Sequence, residues 1–193
     1  MTRRILAVAA TLLVCSGCIG LNKPAPPLRY AIEPTPQIAK AENSGKSLAV
    51  RPLETARPYK QNVVYRDGVE LGMYSSVEWA ELPGDAVTRA LIDALIQSGR
   101  YADVARAVDL GLPDAVLTGQ LRKFDLVRDT SPWSATCEIR LELRESAGRS
   151  LQWAKTLTAS EPLETSSIES LPAAMNRAVT RCIEEAVTEI VAK

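Results

Sequence analysis

The sequence contains no histidine, the side chain that most often serves as a general base and as a transition-metal ligand. Its 193 residues carry 23 lysines and arginines against 23 aspartates and glutamates, so the basic excess typical of nucleic-acid-binding proteins is also missing. No phosphate-cradling glycine loop and no internal repeat is found. These absences argue against an enzyme, a metal site, a bound cofactor and a nucleic-acid partner.

The one long apolar run lies at the N-terminus. Two arginines precede the apolar stretch 5–14, and small residues follow it up to Cys18, which stands directly after Ser16 and Gly17. A run this short is typical of a secretory signal and not of a permanent transmembrane helix. Its end is similar to a bacterial lipobox, which implies cleavage after residue 17 and covalent attachment of diacylglycerol and an N-acyl chain to Cys18.

The residue after the acylated cysteine bears on the location of the anchor. Ile19 is not an aspartate, which by similarity to enterobacterial lipoprotein sorting favours the periplasmic face of the outer membrane over the inner membrane. Several acyl chains hold a protein at a bilayer without a transmembrane helix. Two alternatives stay open. The first is that Cys15 is the acyl site, which is disfavoured because Val14 precedes it. The second is that the segment is an ordinary signal peptide that is cut at another position.

Two of the four cysteines, Cys137 and Cys182, remain once Cys15 leaves with the signal and Cys18 is acylated. An oxidising periplasm favours a disulfide between them. The bridge would close a loop of about 45 residues and contribute about 3 to 4 kcal/mol in the chain-entropy model. The alternative interpretation is two buried small side chains with free thiols.

Composition divides the chain into three parts. Residues 1–17 form the signal, the proline-rich residues 18–27 form a lipidated tether, and residues 28–193 form a single domain. Period-two alternation predicts the following strands: 28–32, 47–53, 62–66 and 69–74 joined by Asp67-Gly68, 101–104, 115–127 with a bulge near Arg122-Lys123, 135–144, and 151–159.

Two amphipathic helices complete the prediction. The first covers 86–98, capped by Asp85 and ended by Gly99, and the second runs from about Ser167 or Ser170 to Val191. We therefore expect an α/β domain with a mixed sheet of about five or six strands and both helices packed on it. A disulfide between the inward strand face and the second helix would join that helix to the sheet.

One stretch of the chain resembles a known family. It runs from Pro58-Tyr59 to Val63-Val64-Tyr65-Arg66, then through Glu78-Trp79-Ala80-Glu81-Leu82 into a helix with Arg89, Leu91 and Leu95. This combination is similar to the ABC-type transport auxiliary lipoproteins. The resemblance implies a non-catalytic accessory subunit of an intermembrane lipid transport system, whose partners are an ABC transporter and a periplasmic mammalian-cell-entry (MCE) protein.

The matching positions are Tyr65, Arg66, Trp79 and Glu81, which the resemblance makes candidate partner-binding residues. A structural interpretation competes for each of them. Tyr65 and Trp79 would pack beneath the helix, and Arg66 would pair with Glu78 or Glu81.

The alternative function is a lipoprotein regulator or assembly factor of another envelope machine, such as a peptidoglycan synthase or a secretion pore. Neighbouring genes for an ABC permease, an ATPase and an MCE protein would separate the two functions. A homo-oligomer stays open in either case.

Overall fold

The structure is a computed structural model that describes residues 25–129 and 131–193. The predicted signal (1–17), the predicted acyl site Cys18 and most of the predicted tether lie outside these residues. The described chain forms nine strands and two α-helices. They are β1 (Leu28–Tyr30), β2 (Ser47–Val50), β3 (Glu54–Thr55), β4 (Asn62–Asp67), β5 (Glu70–Trp79), α1 (Pro83–Ser98), β6 (Asp103–Arg106), β7 (Ala115–Val127), β8 (Ser134–Glu145), β9 (Leu151–Pro162) and α2 (Leu171–Val191).

All nine described strands belong to one mixed sheet built around β7. On one side of β7, the strands β8 and β9 continue an antiparallel meander. On the other side, β2, β3 and β4 each pair with a different part of β7 in parallel. Strand β6 lies outside β2, and β5 followed by β1 lies outside β4. The predicted fold class is confirmed. The strand number exceeds five or six because the short strands predicted at 28–32 and 101–104 join the same sheet and the two-residue β3, which was not predicted, adds another.

The core fills the space between the sheet and both helices. Alternate residues of β8, from Ala135 to Leu143, are buried, and α2 packs against β8, β9 and α1. The residues between them, such as Thr136, Glu138, Arg140 and Glu142, lie on the opposite face of the sheet, which we call the open face. One apolar and one polar face per strand is the pattern of an antiparallel sheet covered on one side only.

Helix α1 begins three residues earlier than predicted. Leu82 is its N-terminal cap residue and makes no side-chain capping bond, while Pro83 opens the first turn. Proline fits there because its fixed φ suits a helix and the missing N–H would have had no partner within the helix. The expectation that Asp85 caps the helix is wrong, since Asp85 lies inside the first turn. Its negative charge there interacts favourably with the positive end of the helix dipole. Gly99 ends the helix at φ +68°, as predicted.

The long strand β7 contains the predicted bulge, between Leu121 and Lys123. Gly119 is required two residues earlier, because a Cβ there would lie 2.4 Å from the carbonyl oxygen of Arg140 and 2.8 Å from the side chain of Leu53. Strand β5 extends beyond the predicted 69–74, because after an irregular stretch it continues to Trp79 beside β1.

The segment between β1 and β2 runs along α2 as an extended arm. Three backbone N–H groups of the arm donate to side chains one helical turn apart: Glu33 to Asn176, Thr35 to Thr180 and Gln37 to Glu184, at 2.9, 3.1 and 2.8 Å. The spacings match because two extended residues rise about 6.6 Å and four helical residues about 6 Å. Pro34 and Pro36 occupy the intervening positions, where no N–H is needed.

Candidate docking surface

The β4–β5 hairpin carries the first candidate residues. Gly68 opens its two-residue turn at φ +58°, a backbone conformation that favours glycine. The register then places Tyr65 opposite Gly72 and Arg66 opposite Leu71. The Tyr65 ring lies against Gly72, where a Cβ would come within 2.2 Å of the ring. Gly72 thus lets Tyr65 lie flat across its neighbouring strand.

Tyr65 belongs to a cluster at the hairpin end of the sheet, which we call the aromatic–arginine cluster and which comprises Tyr65, Tyr74, Arg128 and Trp133. The Arg128 guanidinium lies 4.1 Å from the centre of the Tyr65 ring and 5.6 Å from that of Trp133. The rings of Tyr65 and Tyr74 meet edge to face at 5.2 Å. Hydrogen bonds with Tyr74 and then Asp67 raise the pKa of Arg128, so its charge is retained. All four members of the cluster are half-buried, so each keeps some exposed surface.

Tyr65 is the one member of this cluster that the sequence pattern indicated. Tyr74 lies on β5, Arg128 directly follows β7 and Trp133 directly precedes β8, so the sheet topology brings them together from three places. A signal was nevertheless present, since Trp133 stands in the connection between two strongly alternating strands, where a large aromatic residue needs an explanation. Tyr, Trp and Arg are the residues in which interface energy concentrates.

Arg66 points to a different partner from those expected. Its Nε donates to Asp125 Oδ2 at 3.0 Å, and the Asp125 side chain is 1% exposed while that of Arg66 is 34% exposed. Burial raises the pKa of the adjacent Tyr59 far above its ordinary value, with further contributions from Asp125. The expectation that Arg66 pairs with Glu78 or Glu81 is wrong, because Glu78 pairs with Arg29 and Glu81 with Arg89.

Trp79 lies inside the core. It is 1% exposed, and its ring meets that of Phe124 edge to face with 5.2 Å between centres. Glu81 follows β5, at the end of that strand remote from the hairpin turn. The structure therefore brings Tyr65 and Arg66 to the hairpin but separates Trp79 and Glu81 from them. Trp79 can act only as support for a surface, whereas Tyr65, Arg66 and Glu81 remain accessible.

Cys137 and Cys182 lie side by side in the core as free thiols. Cys182 Sγ is 3.7 Å from the Cys137 carbonyl oxygen, so the predicted proximity of strand β8 and helix α2 at these positions is present. A hydrogen bond with the Cys182 side chain raises the pKa of the Cys137 thiol most, and burial raises it further. The disulfide itself stays a prediction.

The part of the chain that the structure describes has neither a metal-binding group of side chains nor a membrane-spanning helix. Within it, no three or more cysteine, aspartate or glutamate side chains are grouped so as to hold a metal ion. Neither described helix is long and apolar enough to cross a membrane.

Comparisons with known proteins agree with this architecture. The family model of the ABC-type transport auxiliary lipoprotein component matches residues 30–187. The crystal structure of protein XCC0632 from Xanthomonas campestris, assigned to the DUF330 family, is similar with a TM-score of 0.75 at 25% identity, over 85% of this chain and 95% of that one. Protein CT253 from Chlamydia trachomatis shares the fold, with a TM-score of 0.55 at 13% identity over 77% and 97% of the two chains. A search of curated proteins found no match.

Proposed function

The chain belongs to the ABC-type transport auxiliary lipoprotein component family, and from this membership we propose that it docks an intermembrane lipid transport system at the outer membrane. In this proposal Cys18 carries the acyl chains, the domain lies in the periplasm, and the partner is the MCE-domain protein associated with an ABC transporter. The protein contributes binding surface and no chemistry.

The observation that carries this proposal is the aromatic–arginine cluster. Helices α1 and α2 bury their apolar faces in the core, so the helices offer no large apolar surface. The cluster instead offers three half-buried aromatic rings around one guanidinium, beside the partly exposed Arg66. Amphipathic rings and a planar cation held by neighbouring side chains lose little conformational entropy on binding, which suits a docking site.

The path of the chain supports a location close to the bilayer. Strand β1 is parallel to β5, with Leu28 opposite Val77, so β1 begins on the side of the hairpin turn. The tether 18–27 spans at most about 35 Å. A partner that reaches the outer membrane across the periplasm would thus meet the cluster next to the anchor.

Replacement of Trp133 tests the docking site. We expect Trp133→Ala to abolish co-purification of the MCE-domain protein from membranes, with little change in melting temperature because Trp133 is half-buried in a connecting segment. Leu112→Ala is the matched control, since Leu112 is 98% exposed and precedes the opposite end of β7. Full retention of the partner by both Trp133→Ala and Arg128→Ala would contradict this site. Failure of the wild-type chain to co-purify an MCE protein would instead favour the regulator or assembly-factor function.

Metabolic labelling with palmitate tests the anchor. Cys18→Ala should abolish labelling, and Cys15→Ala should leave it unchanged. The reverse pattern would move the acyl site to Cys15, and labelling of both variants would rule out a single acylated cysteine.

A further inference from the structure

Strand β9 forms a long free edge of the sheet. Within the described chain it pairs with β8 alone, and the register is constant from Ser134 opposite Pro162 to Leu143 opposite Trp153. A straight edge of this length presents a row of backbone donors and acceptors to any strand that can align with it.

The hydrogen-bonding phase shows which residues face outward. The Leu163 N–H donates to the Trp133 carbonyl at 2.8 Å, which makes these two residues a hydrogen-bonded pair. Hydrogen-bonded and non-hydrogen-bonded pairs alternate in an antiparallel ladder. Odd-numbered residues of β9 therefore bond to β8, and between the two ends of the strand the outward backbone groups are those of Ala154, Thr156, Thr158 and Ser160.

This edge has little of the protection that natural edge strands carry. Charged side chains, bulges and prolines usually prevent pairing between chains. Here the four outward residues are all uncharged and three of them are exposed. The charged residues of the strand, Lys155 and Glu161, are paired with α2, and proline occurs only at the end of the strand, as Pro162. An edge without such protection favours pairing with another strand.

The charges above the edge indicate which strand fits. Over the C-terminal half of β9, Arg177 and Arg181 of α2 bind Glu161 at 3.4 and 2.6 Å. Over the N-terminal half, Glu185 of α2 binds Lys155 at 2.6 Å, and Glu189 binds the same lysine. The flank of α2 beside β9 is therefore positive at one end of the edge and negative at the other. An antiparallel copy of the same edge would set each positive half beside a negative half.

We propose that β9 pairs antiparallel with β9 of a second copy of this chain about a two-fold axis at Leu157. In this register Ala154 bonds to Ser160 of the second copy and Thr156 to Thr158, so all four outward residues pair with one another. Threonine pairs across strands are favourable, and no like charges on β9 come opposite each other. The two sheets become one continuous sheet, with an isologous interface.

Proline at an outward position tests the pairing. Thr158→Pro removes an outward N–H without touching the bonds to β8, so the domain should keep its fold. We expect the full-length chain, purified in detergent and weighed by analytical ultracentrifugation, to be a dimer as wild type and as Thr158→Ala, and a monomer as Thr158→Pro. A monomeric wild type, or an unchanged assembly in a folded Thr158→Pro variant, would overturn the proposal.

Pairs of introduced cysteines test the register without a substitution that disturbs the fold. Hydrogen-bonded partners have Cα atoms about 5.5 Å apart, within disulfide range, whereas diagonal neighbours lie about 7 to 8 Å apart. Under mild oxidation, Thr156→Cys with Thr158→Cys should give a covalent dimer, and Thr156→Cys with Ser160→Cys should not. Equal crosslinking of both pairs, or none, would overturn the two-fold axis at Leu157.

Discussion

Two outer edges of the sheet, the part of β5 beside the hairpin turn and strand β9, differ in regularity. At the hairpin edge, the pairing passes from Val64 opposite Met73 to Asn62 opposite Glu78, so β5 accommodates extra residues against β4. At the other edge, β9 follows β8 with one register along almost its whole length. An irregular edge resists added strands, while a straight edge accepts them. We therefore expect partners to bind the hairpin end through side-chain contacts and to bind β9 through backbone hydrogen bonds.

The packing beneath the two edges differs as well. Beneath β5, toward its end remote from the hairpin turn, the sheet rests on one large aromatic contact, between Trp79 and Phe124. The β9 edge rests on the buried side chains of Trp153, Leu157 and Ala159 and on ion pairs with α2, and Trp153 donates to Glu189 at 2.9 Å. The first edge therefore depends on apolar packing, and the second combines packing with charge.

Trp79→Ala should give the largest loss of stability, because it removes a fully buried indole from the core beneath β5. We expect the free energy of unfolding to fall by about 3 to 5 kcal/mol, measured by urea denaturation. Trp133→Ala, which replaces a half-buried indole at the hairpin end of the sheet, should lose much less. Comparable losses of unfolding free energy in the two variants would contradict the view that Trp79 supports the core while Trp133 is available for contact with a partner.

The meander could be predicted from the sequence because its determinants are local. The alternation of Ala135, Cys137, Ile139, Leu141 and Leu143 fixes the inward face of β8 without knowledge of any partner strand. The stripe of apolar residues on α2 is equally local. The same reasoning placed Cys137 and Cys182 on facing surfaces, where the structure has them.

The docking surface could be predicted only in part, because its residues meet through parallel pairing of distant segments. Arg66 can bind Asp125 only because β4 lies beside the end of β7. The same pairing brings Arg128 to Tyr65. Sequence proximity suggested Glu78 and Glu81 as partners of Arg66, but in the structure these bind Arg29 and Arg89.

The predicted disulfide would strengthen the β9 side of the comparison. Joining Cys137 to Cys182 ties the meander to α2, and its loss should lower the free energy of unfolding by about 3 to 4 kcal/mol at most, mainly through the unfolded chain. Non-reducing peptide mapping of protein purified from the periplasmic side should find the two cysteines linked. Two free thiols in that material would show that both are simply core residues, and reduction would then leave stability unchanged.

The smallest effect is expected from the ion pairs above β9, and it appears as a pH dependence. A hydrogen bond with Lys155, followed by one from Trp153, lowers the pKa of Glu189 in the folded chain. A carboxylate whose folded pKa lies below the unfolded value of about 4.3 adds stability above that pH and loses it as the pH falls through the folded pKa. Glu189→Gln should therefore flatten the fall in unfolding free energy below about pH 5, measured by urea denaturation at several pH values.

Glu142→Gln provides the matched control on the open face, because hydrogen bonds with Arg144 and then Arg140 lower the pKa of Glu142 in the same direction. Both variants should flatten the acid limb, but only Glu189 lies on the α2 flank beside β9. If β9 pairs with a second copy through complementary charge, Glu189→Gln should also weaken the dimer at neutral pH, and Glu142→Gln should not. Equal dimer strength in the two variants would show that backbone pairing alone holds the edge and that the charges of α2 serve only the fold of each copy.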